Sequence, residues 1–301
     1  MGNWFGCCGN AQDDDYWNVT HRKIGSDNPD WMSKLQNPDR LSLAGISIPG
    51  THDTMARTTF FQCAWCQSLS LPDQLLTGIR YLDLRCRYYR NDLLIYHGCC
   101  YQDSSLRGCL LEMKTFLRTE NSRNECLLVR VKRDDDVHDG NPRLENREFC
   151  ELFRLILGQV NDEENNLFWL EENIPTLDVA RGKIVILRNF DRQPEDEVPL
   201  GIPYGTLRIE DNYAQNSYSQ RFEYTRNHLL LAQEENNLPD LFLTHSSAVI
   251  CKMCPPRESA RRLNPMLYNF INEQGGRLGI IAMDYPGPGL IKRIIQNNLF
   301  S

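Results

Sequence analysis

The chain has 301 residues, of which 41% are hydrophobic and 24% are charged. This composition is typical of a folded globular protein and excludes a fibrous or wholly disordered chain. The net charge is −7 at pH 7, and Lys and Arg form no long cluster. We therefore expect no nucleic-acid partner, because binding to a phosphate backbone needs clustered cations.

The N-terminus carries features of a lipid anchor. The sequence has no run of about 18 to 20 apolar residues that predicts a membrane-spanning helix, and it has no secretory signal, so we expect a cytoplasmic protein. Removal of Met1 exposes Gly2 for myristoylation, and Cys7 and Cys8 lie where palmitate is often added. Because Gly6 replaces the usual Ser or Thr, the alternative is an unmodified tail with incidental cysteines.

The 12 cysteines are expected to be free thiols, because a protein without a secretory signal stays in a reducing compartment. Two pairs have the C-x-x-C spacing of zinc ligands, Cys63 with Cys66 and Cys251 with Cys254. The two pairs lie almost the whole chain apart, and chance matches are common in a cysteine-rich sequence. We therefore expect no zinc site and no cofactor.

Residues 1–30 have no apolar period and are expected to form a flexible tail, which leaves 31–301 as one folded domain. In that domain, short apolar runs alternate with longer segments of helical pattern. The predicted strands are Leu41 to Ile48, Ile79 to Arg85, Leu93 to His97, Cys126 to Lys132, Lys183 to Arg188, Leu207 to Glu210, Leu241 to Thr244 and Leu278 to Met283. The predicted helices are Ser104 to Arg118, Asn146 to Gln159, Tyr218 to Glu235, Glu258 to Glu273 and Gly289 to Leu299.

This repeated alternation of strands and helices predicts an α/β fold with a mainly parallel sheet. Many of the predicted strands end on polar residues, and the carboxyl ends of strands meet at one mouth of a (β/α) barrel. We therefore expect a single-domain TIM-like barrel. The same pattern also fits a barrel whose sheet is irregular or incompletely closed. A Rossmann sheet is the alternative, but no G-x-G-x-x-G motif opens a helix after the first strand.

Two histidines follow predicted strands. In residues 47–53, a buried strand passes through a Pro-Gly turn to His52 and Asp53, and in residues 94–98 a strand ends on His97. A histidine titrates near neutrality and can accept or donate a proton, so two of them at strand ends predict an acid/base pair. For His52 the alternative is that it caps a helix together with Asp53.

Charged residues lie on the predicted strand between these histidines. Strand alternation places Asp83, Arg85 and Arg87 on one face. Buried charges are costly unless they are paired or used, and an arginine binds phosphate oxygens at two points. This segment therefore predicts a phosphate site, with a structural ion pair in the barrel core as the alternative.

Three segments together resemble a known family. Pro-Gly-Thr-His-Asp, Gly-Ile-Arg-Tyr-Leu-Asp-Leu-Arg and the His-Gly about a dozen residues later resemble the X domain of bacterial-type phosphatidylinositol-specific phospholipases C, including the animal proteins that carry only this domain. The motifs occur in the same order, and the resemblance extends over almost the whole predicted domain. It implies the barrel fold and cleavage of phosphatidylinositol into diacylglycerol and inositol 1,2-cyclic phosphate.

The resemblance also implies the site residues. The implied catalytic residues are His52, Asp53, Asp83, Arg85, His97 and Asp284, and the implied inositol-binding residues are Lys132, Arg188, Asp211 and Tyr213. His52 is the expected general base, His97 the general acid and Arg85 the phosphate ligand, while Asp284 orients the base. For Lys132 and the arginine at position 188, the alternative is an ordinary surface charge. His245 matches no role.

The expected partners are phosphatidylinositol, related inositol lipids and the membrane surface. Phe60, Phe61 and Trp65 fall where the family has a membrane-touching helix and loop, and aromatic side chains suit a lipid interface. The alternative is that they are ordinary core aromatics.

No metal is expected. The calcium-dependent relatives place carboxylates where the metal binds, whereas the resemblance puts Arg85 there, and a fixed positive charge repels a cation and stabilises the charge that develops on phosphate. Two other functions remain open: a non-catalytic module that binds phosphoinositides or tethers the chain to a membrane, and a metal-dependent glycerophosphodiesterase on a similar barrel.

Overall fold

The computed structural model describes residues 16–17, 28–57, 65–134, 143–161, 166–192, 198–237, 239–250 and 255–298. Several residues that the sequence singles out lie outside these ranges: Gly2, Cys7, Cys8, Phe60, Phe61, Cys63, Cys251 and Cys254. None of the described helices is long and apolar enough to cross a membrane.

The described residues form a single sheet with helices packed around it. The strands are β1 (Ile48–Thr51), β2 (Tyr81–Tyr89), β3 (Asp92–His97), β4 (Cys100–Ser105), β5 (Leu127–Arg133), β6 (Phe168–Trp169), β7 (Ile184–Asn189), β8 (Ile202–Pro203), β9 (Arg208–Glu210), β10 (Phe242–His245) and β11 (Ile280–Met283). The helices are α1 (Leu71–Thr77), α2 (Leu106–Leu117), α3 (Asn146–Val160), α4 (Leu177–Ala180), α5 (Tyr218–Ala232), α6 (Pro256–Gln274) and α7 (Pro288–Gln296).

The strand order is β6-β7-β5-β2-β1-β11-β10-β9, and every neighbouring pair in this order is parallel. Within the described residues no ladder joins β9 to β6 or β8, so the sheet curls into an incompletely closed barrel. The antiparallel hairpin of β3 and β4 extends from the carboxyl half of β2. The prediction of an α/β barrel is confirmed, and the carboxyl ends of the parallel strands lie at one mouth.

The structure differs from the sequence prediction at the start of the barrel. Leu43–Gly45 form a 3₁₀ helix, capped by the Ser42 hydroxyl, and β1 begins only at Ile48. The strand predicted over residues 41–48 is therefore wrong in its first part. A continuous run of buried apolar residues has no period that separates a strand from another buried segment.

Residues from the predicted tail also contact the barrel. The Tyr16 ring lies 4.6 Å from the Tyr268 ring, and the Tyr16 carbonyl accepts a hydrogen bond from the Gly287 amide. The amide of Asn28 donates to the Leu76 carbonyl at 2.8 Å. The packed part of the chain therefore begins before residue 31.

Gly50 lets β1 approach β2 closely. It lies opposite Tyr81 in the parallel register, and a Cβ atom at position 50 would meet Tyr81 Cδ1 at 2.6 Å. The close contact is with the Tyr81 side chain, and Thr51 and His52 follow directly after it at the carboxyl end of β1. The glycine of the Pro-Gly-Thr-His-Asp motif thus serves packing.

We expect Gly50→Ala to lower the free energy of unfolding by about 1–3 kcal/mol, because the added methyl group overpacks the contact with Tyr81. Gly158→Ala is the matched control: a Cβ atom at this position in α3 meets nothing within 4 Å, and alanine in a helix is favoured over glycine by about 0.5–1 kcal/mol. Urea denaturation followed by circular dichroism measures both. Equal stability of Gly50→Ala and the wild type would contradict this account.

Candidate active site

Most of the predicted catalytic residues line one cavity at the carboxyl ends of the strands. The cavity has a volume of about 420 Å³ and is lined by His52, Asp53, Cys66, Arg85, His97, Arg130, Lys132, Asp211, Tyr213, Ser247, Ala248, Val249, Pro256 and Asp284. Strand β1 leads into His52, β2 carries Arg85, β3 ends on His97 and β11 leads into Asp284. Residues far apart in sequence therefore converge because their strands end at the same mouth.

The backbone around His52 is fixed on both sides. Its amide donates to the Met283 carbonyl at 2.9 Å, and the Gln67 side-chain amide donates to the His52 carbonyl at 2.7 Å. The ring then lies between carboxylates: Nδ1 is 2.9 Å from Asp284 Oδ1, and Nε2 is 3.3 Å from Asp53 Oδ2. Asp284 therefore lies within hydrogen-bond distance of the Nδ1 atom, on the other side of the ring from Asp53.

The protonation of His52 depends on the charges around it. Burial lowers the pKa of His52, but the carboxylates of Asp53 and Asp284 outweigh burial and raise this pKa to about 9. In the structure, Arg85 Nη2 lies 2.8 Å from His52 Nε2. A guanidinium only donates, so this contact requires a neutral ring with the proton on Nδ1. The contact and the imidazolium form of His52 therefore exclude each other.

Asp53 connects the two histidines. Its Oδ2 lies 3.3 Å from His52 Nε2 and 3.4 Å from His97 Nε2, while its Oδ1 lies 2.5 Å from Arg85 Nε. Its backbone has φ of +41°, in the left-handed region that only a few non-glycine residues adopt. The turn after β1 thus turns the carboxylate back into the cavity between the two imidazoles.

Asp83 lies below the cavity and is 1% exposed. Arg130 Nη1 donates to both of its carboxylate oxygens, at 3.2 and 3.3 Å, and Arg85 Nη2 lies 3.6 Å from Oδ2. Burial alone would raise the pKa of Asp83, but the two guanidiniums lower it well below its usual range. Asp83 therefore stays ionised and supports Arg85 from beneath.

The hairpin that carries His97 is held by Arg87. This arginine donates to the Gly98 carbonyl at 2.8 Å and to the Asp134 carbonyl at 3.2 Å, and it lies over the Tyr96 ring at 4.3 Å. Arg87 shares a face with Asp83 and Arg85, as the alternation predicts. Its role is to position the turn beside His97.

The predicted inositol-binding residues divide into two groups. Lys132, Asp211 and Tyr213 line the catalytic cavity, and Lys132 Nζ lies 3.2 Å from Asp134 Oδ1. Arg188 does not line this cavity: in the register with β5 it lies opposite Val131, whereas its neighbour Asn189 lies opposite Lys132 and faces the interior. The placement of Arg188 with the other three is corrected, because strand alternation turns it to the other side of the sheet.

Sequence reasoning missed Arg130. It precedes Lys132 by two positions on β5, so the alternation that pairs Asp83 with Arg85 also places Arg130 on the inner face. Its guanidinium donates to the Asn189 side chain at 2.9 and 2.7 Å and lies 4.2 Å from the centre of the Tyr204 ring. The alternation of side chains along β5 could therefore have identified Arg130 from the sequence.

Two further residues that the sequence singles out, His245 and Trp65, are not part of the described lining of the cavity. His245 is fully buried, its ring lies 5.7 Å from that of His52, and its Nε2 is 3.3 Å from the Tyr204 hydroxyl. Burial lowers the pKa of His245 well below the usual value, so it is neutral. Trp65 is half-buried, and its carbonyl accepts a hydrogen bond from the Tyr285 hydroxyl at 2.9 Å.

One cluster of potential metal ligands lies in the cavity. Donor atoms of His52, Asp53 and Cys66 lie within 4.8 Å of one another. The Arg85 guanidinium, however, contacts His52 Nε2 at 2.8 Å and Asp53 Oδ1 at 2.5 Å. It therefore supplies a fixed positive charge at the place where a cation would have to bind.

Known proteins share this fold and sequence. Residues 47–190 match the family model described as "Phosphatidylinositol-specific phospholipase C, X domain". The curated 1-phosphatidylinositol phosphodiesterase of Listeria monocytogenes is 33% identical over 291 residues, which cover 90% of this chain and 85% of that protein.

Solved structures agree with this match. The phosphatidylinositol-specific phospholipase C from Listeria monocytogenes has a TM-score of 0.73 and 29% identity over 90% of this chain and 99% of its own. A mutant of the phosphatidylinositol-specific phospholipase C from Staphylococcus aureus has a TM-score of 0.74 and 25% identity over 90% of this chain and 98% of its own.

We expect Asp284→Asn to lower the pKa of His52 from about 9, because the substitution removes one of the two carboxylates that stabilise the imidazolium. In the wild type, the charged ring stabilises the fold below pH 6.5, and this stabilisation is lost as the pH rises through about 9. Titration of the His52 ring by NMR measures the shift. Asp240→Asn, which changes a carboxylate paired with Arg208 at the amino end of β10, is the control. An unchanged titration in Asp284→Asn would refute the assigned cause.

Proposed function

The chain belongs to the phosphatidylinositol-specific phospholipase C family, and on this premise we propose that it cleaves phosphatidylinositol to diacylglycerol and inositol 1,2-cyclic phosphate without a metal ion. One observation carries this proposal: a single carboxylate, Asp53, lies within 3.4 Å of Nε2 of both His52 and His97 and contacts Arg85. An acid, a base and a phosphate-binding cation thus surround one cavity.

The first step forms the cyclic phosphate. The substrate phosphate takes up hydrogen-bond donors of Arg85, which releases His52 Nε2 from this arginine. The neutral form of His52, which carries its proton on Nδ1, then accepts the proton of the inositol 2-hydroxyl at Nε2, and the hydroxyl oxygen forms a bond to phosphorus. The bond from phosphorus to the glycerol oxygen breaks, and His97 donates a proton to that oxygen.

The charges of the site stabilise this step. Asp284 holds the Nδ1 proton of His52 and stabilises the imidazolium that forms there. Burial opposes the charge of Arg85, but the carboxylates of Asp53 and Asp83 raise its pKa above the usual value, so Arg85 stays charged and offsets the negative charge that develops on the phosphorane. Lys132, Asp211 and Tyr213 line the same cavity and are proposed to bind the inositol ring.

We propose that the protein works at a membrane surface. Trp65 belongs to a segment that follows His52, and Phe60 and Phe61 lie outside the described residues. Acylation at Gly2, Cys7 and Cys8 would hold an otherwise cytoplasmic protein on the lipid, since two acyl chains anchor stably where one does not.

We expect His52→Ala and His97→Ala each to lower kcat for phosphatidylinositol by about 10²–10⁴-fold, because each removes one partner of the proton transfer. His228→Asn is the matched control, since His228 lies on α5 and contacts Thr244 outside the cavity. Cyclic product is followed by phosphorus NMR. Full turnover in either alanine variant would refute the mechanism.

We expect a chelator to leave turnover unchanged, because Arg85 supplies the positive charge. Arg85→Lys should lower kcat by about 10²-fold or more, since an ammonium loses the two-point contact with phosphate. Turnover of the wild type is measured before and after EDTA treatment. Loss of activity that calcium restores would show a metal-dependent phosphodiesterase instead.

We expect Gly2→Ala to move the protein from the membrane fraction of cells to the soluble fraction, because it removes the myristoylation site. Asn3→Ala keeps Gly2 and serves as control. Mass spectrometry of the N-terminal peptide identifies the acyl groups. Equal distribution of both variants and the wild type would contradict the anchor.

A further inference from the structure

Two buried side-chain amides, those of Gln67 and Asn264, lie against the backbone that carries His52 and Asp284. Gln67 is 2% exposed and Asn264 is 1% exposed. Neither residue belongs to the described lining of the catalytic cavity. They also take no part in the proton transfers described above.

Gln67 joins the ends of the two strands that lead into this pair. Its Nε2 donates to the His52 carbonyl at 2.7 Å and to the Met283 carbonyl at 2.8 Å. Met283 is the last residue of β11 and directly precedes Asp284. The Met283 carbonyl also accepts a hydrogen bond from the His52 amide at 2.9 Å. One side chain thus ties the backbone of the base to the backbone beside its carboxylate partner.

These contacts leave the Gln67 side chain one orientation. A carbonyl oxygen only accepts, so both contacts require the nitrogen of the side-chain amide, which has two N–H groups to donate. The backbone of this segment is also held, because the amides of Cys66 and Gln67 both donate to the Ala56 carbonyl, at 2.8 and 3.2 Å. Both side-chain N–H groups of Gln67 are therefore used on the two strand ends.

Asn264 on α6 holds the turn that begins at Asp284. Its Nδ2 donates to the Asp284 carbonyl at 3.0 Å and to the Tyr285 carbonyl at 3.3 Å. Tyr285 has φ of +44°, in the left-handed region that few non-glycine residues adopt. Its amide donates to the Cys66 carbonyl and its hydroxyl to the Trp65 carbonyl, both at 2.9 Å. Such a conformation persists only where surrounding contacts hold it.

We infer that Gln67 and Asn264 are positioning residues, which set the distance and the angle between the His52 ring and the Asp284 carboxylate. The contact that they set, from His52 Nδ1 to Asp284 Oδ1, is 2.9 Å long. Together the two side-chain amides donate to four backbone carbonyls, those of His52, Met283, Asp284 and Tyr285. A catalytic group must be held close to its productive geometry, since a displacement of about 1 Å can cost about 10²-fold in rate.

The alternative is that the two side-chain amides only stabilise the fold, because buried backbone carbonyls need donors wherever they lie. Asn298 has such a role at the amino end of β1. It donates to the Ser47 carbonyl at 2.9 Å and accepts from the Ser47 amide at 2.8 Å. Ser47 directly precedes β1, whereas His52 directly follows it. Asn298 is therefore the matched control on the same strand.

The test compares Gln67→Met with Asn298→Leu in the full chain. Methionine has about the length of glutamine but donates no hydrogen bond. The effect on turnover rests on the proposed function. We expect Gln67→Met to lower kcat for phosphatidylinositol about 10–100-fold and to change KM less than about twofold, because the base moves while the groups that contact the substrate stay in place.

The His52 ring gives a second measurement, which needs no substrate. In Gln67→Met, titration by NMR should give His52 a pKa below the wild-type value of about 9, since the ring is no longer held beside Asp284. The other groups that face this ring are the same in all variants: Asp53, Arg85, Cys66 and His245. Asn298→Leu should lower the midpoint of urea denaturation and leave both kcat and the titration unchanged.

Asn264→Leu is the second variant, which keeps the test valid where Gln67→Met fails to fold. It should lower kcat and the pKa of His52 in the same way. A double-mutant cycle then shows whether the effect passes through Asp284: in the Asp284→Asn chain, Gln67→Met should lower kcat by a smaller factor than in the wild type.

Two results would overturn the inference. One is a loss of stability in Gln67→Met and Asn264→Leu with kcat and the His52 titration as in Asn298→Leu. The other is an undiminished effect of Gln67→Met in the Asp284→Asn chain. A wild-type chain that does not cleave phosphatidylinositol, but whose His52 titration responds to Gln67→Met, would refute the proposed function alone.

Discussion

The site depends on how the Asp53 carboxylate is shared. One of its oxygens lies between the Nε2 atoms of His52 and His97, and the other contacts Arg85. A carboxylate buried to this degree is stable only with cationic partners close by. Arg85 is in turn held by Asp83, which Arg130 keeps ionised. The catalytic groups therefore form one network in which carboxylates and cations alternate. Each buried charge is stabilised by the opposite charge beside it.

Backbone geometry makes this sharing possible. Gly50 allows β1 to lie against Tyr81, and the left-handed conformation of Asp53 turns its side chain back over the strand end. On the opposite side, Arg87 holds the hairpin that carries His97. The base thus follows β1 and the acid ends β3, and both strands pair with β2. Strain in the turn at Asp53 is compensated by the ion pairs of its side chain.

Several features followed from local pattern. The alternation of apolar strands and helical segments predicted the barrel, and the alternation along β2 correctly placed Asp83, Arg85 and Arg87 on one face. The same rule, applied to β5 and β7, would have found Arg130 and would have turned Arg188 away from the catalytic cavity. Local pattern failed at residues 41–48, because a fully buried apolar run has no period, and a 3₁₀ helix there looks like a strand.

The sequence by itself determined which chemical groups are available: two histidines after strands, arginines and aspartates in alternation, and the order of the three motifs. Only the tertiary structure decided which groups meet. The Asp53 carboxylate lies between two imidazoles, Asp284 reaches His52 from a strand more than 200 residues away in sequence, and Gln67 joins the backbone of the two strand ends. These contacts between residues distant in sequence arise because the sheet curls and brings the ends of separate strands to one mouth. The period of side chains along a single strand or helix does not encode this curl.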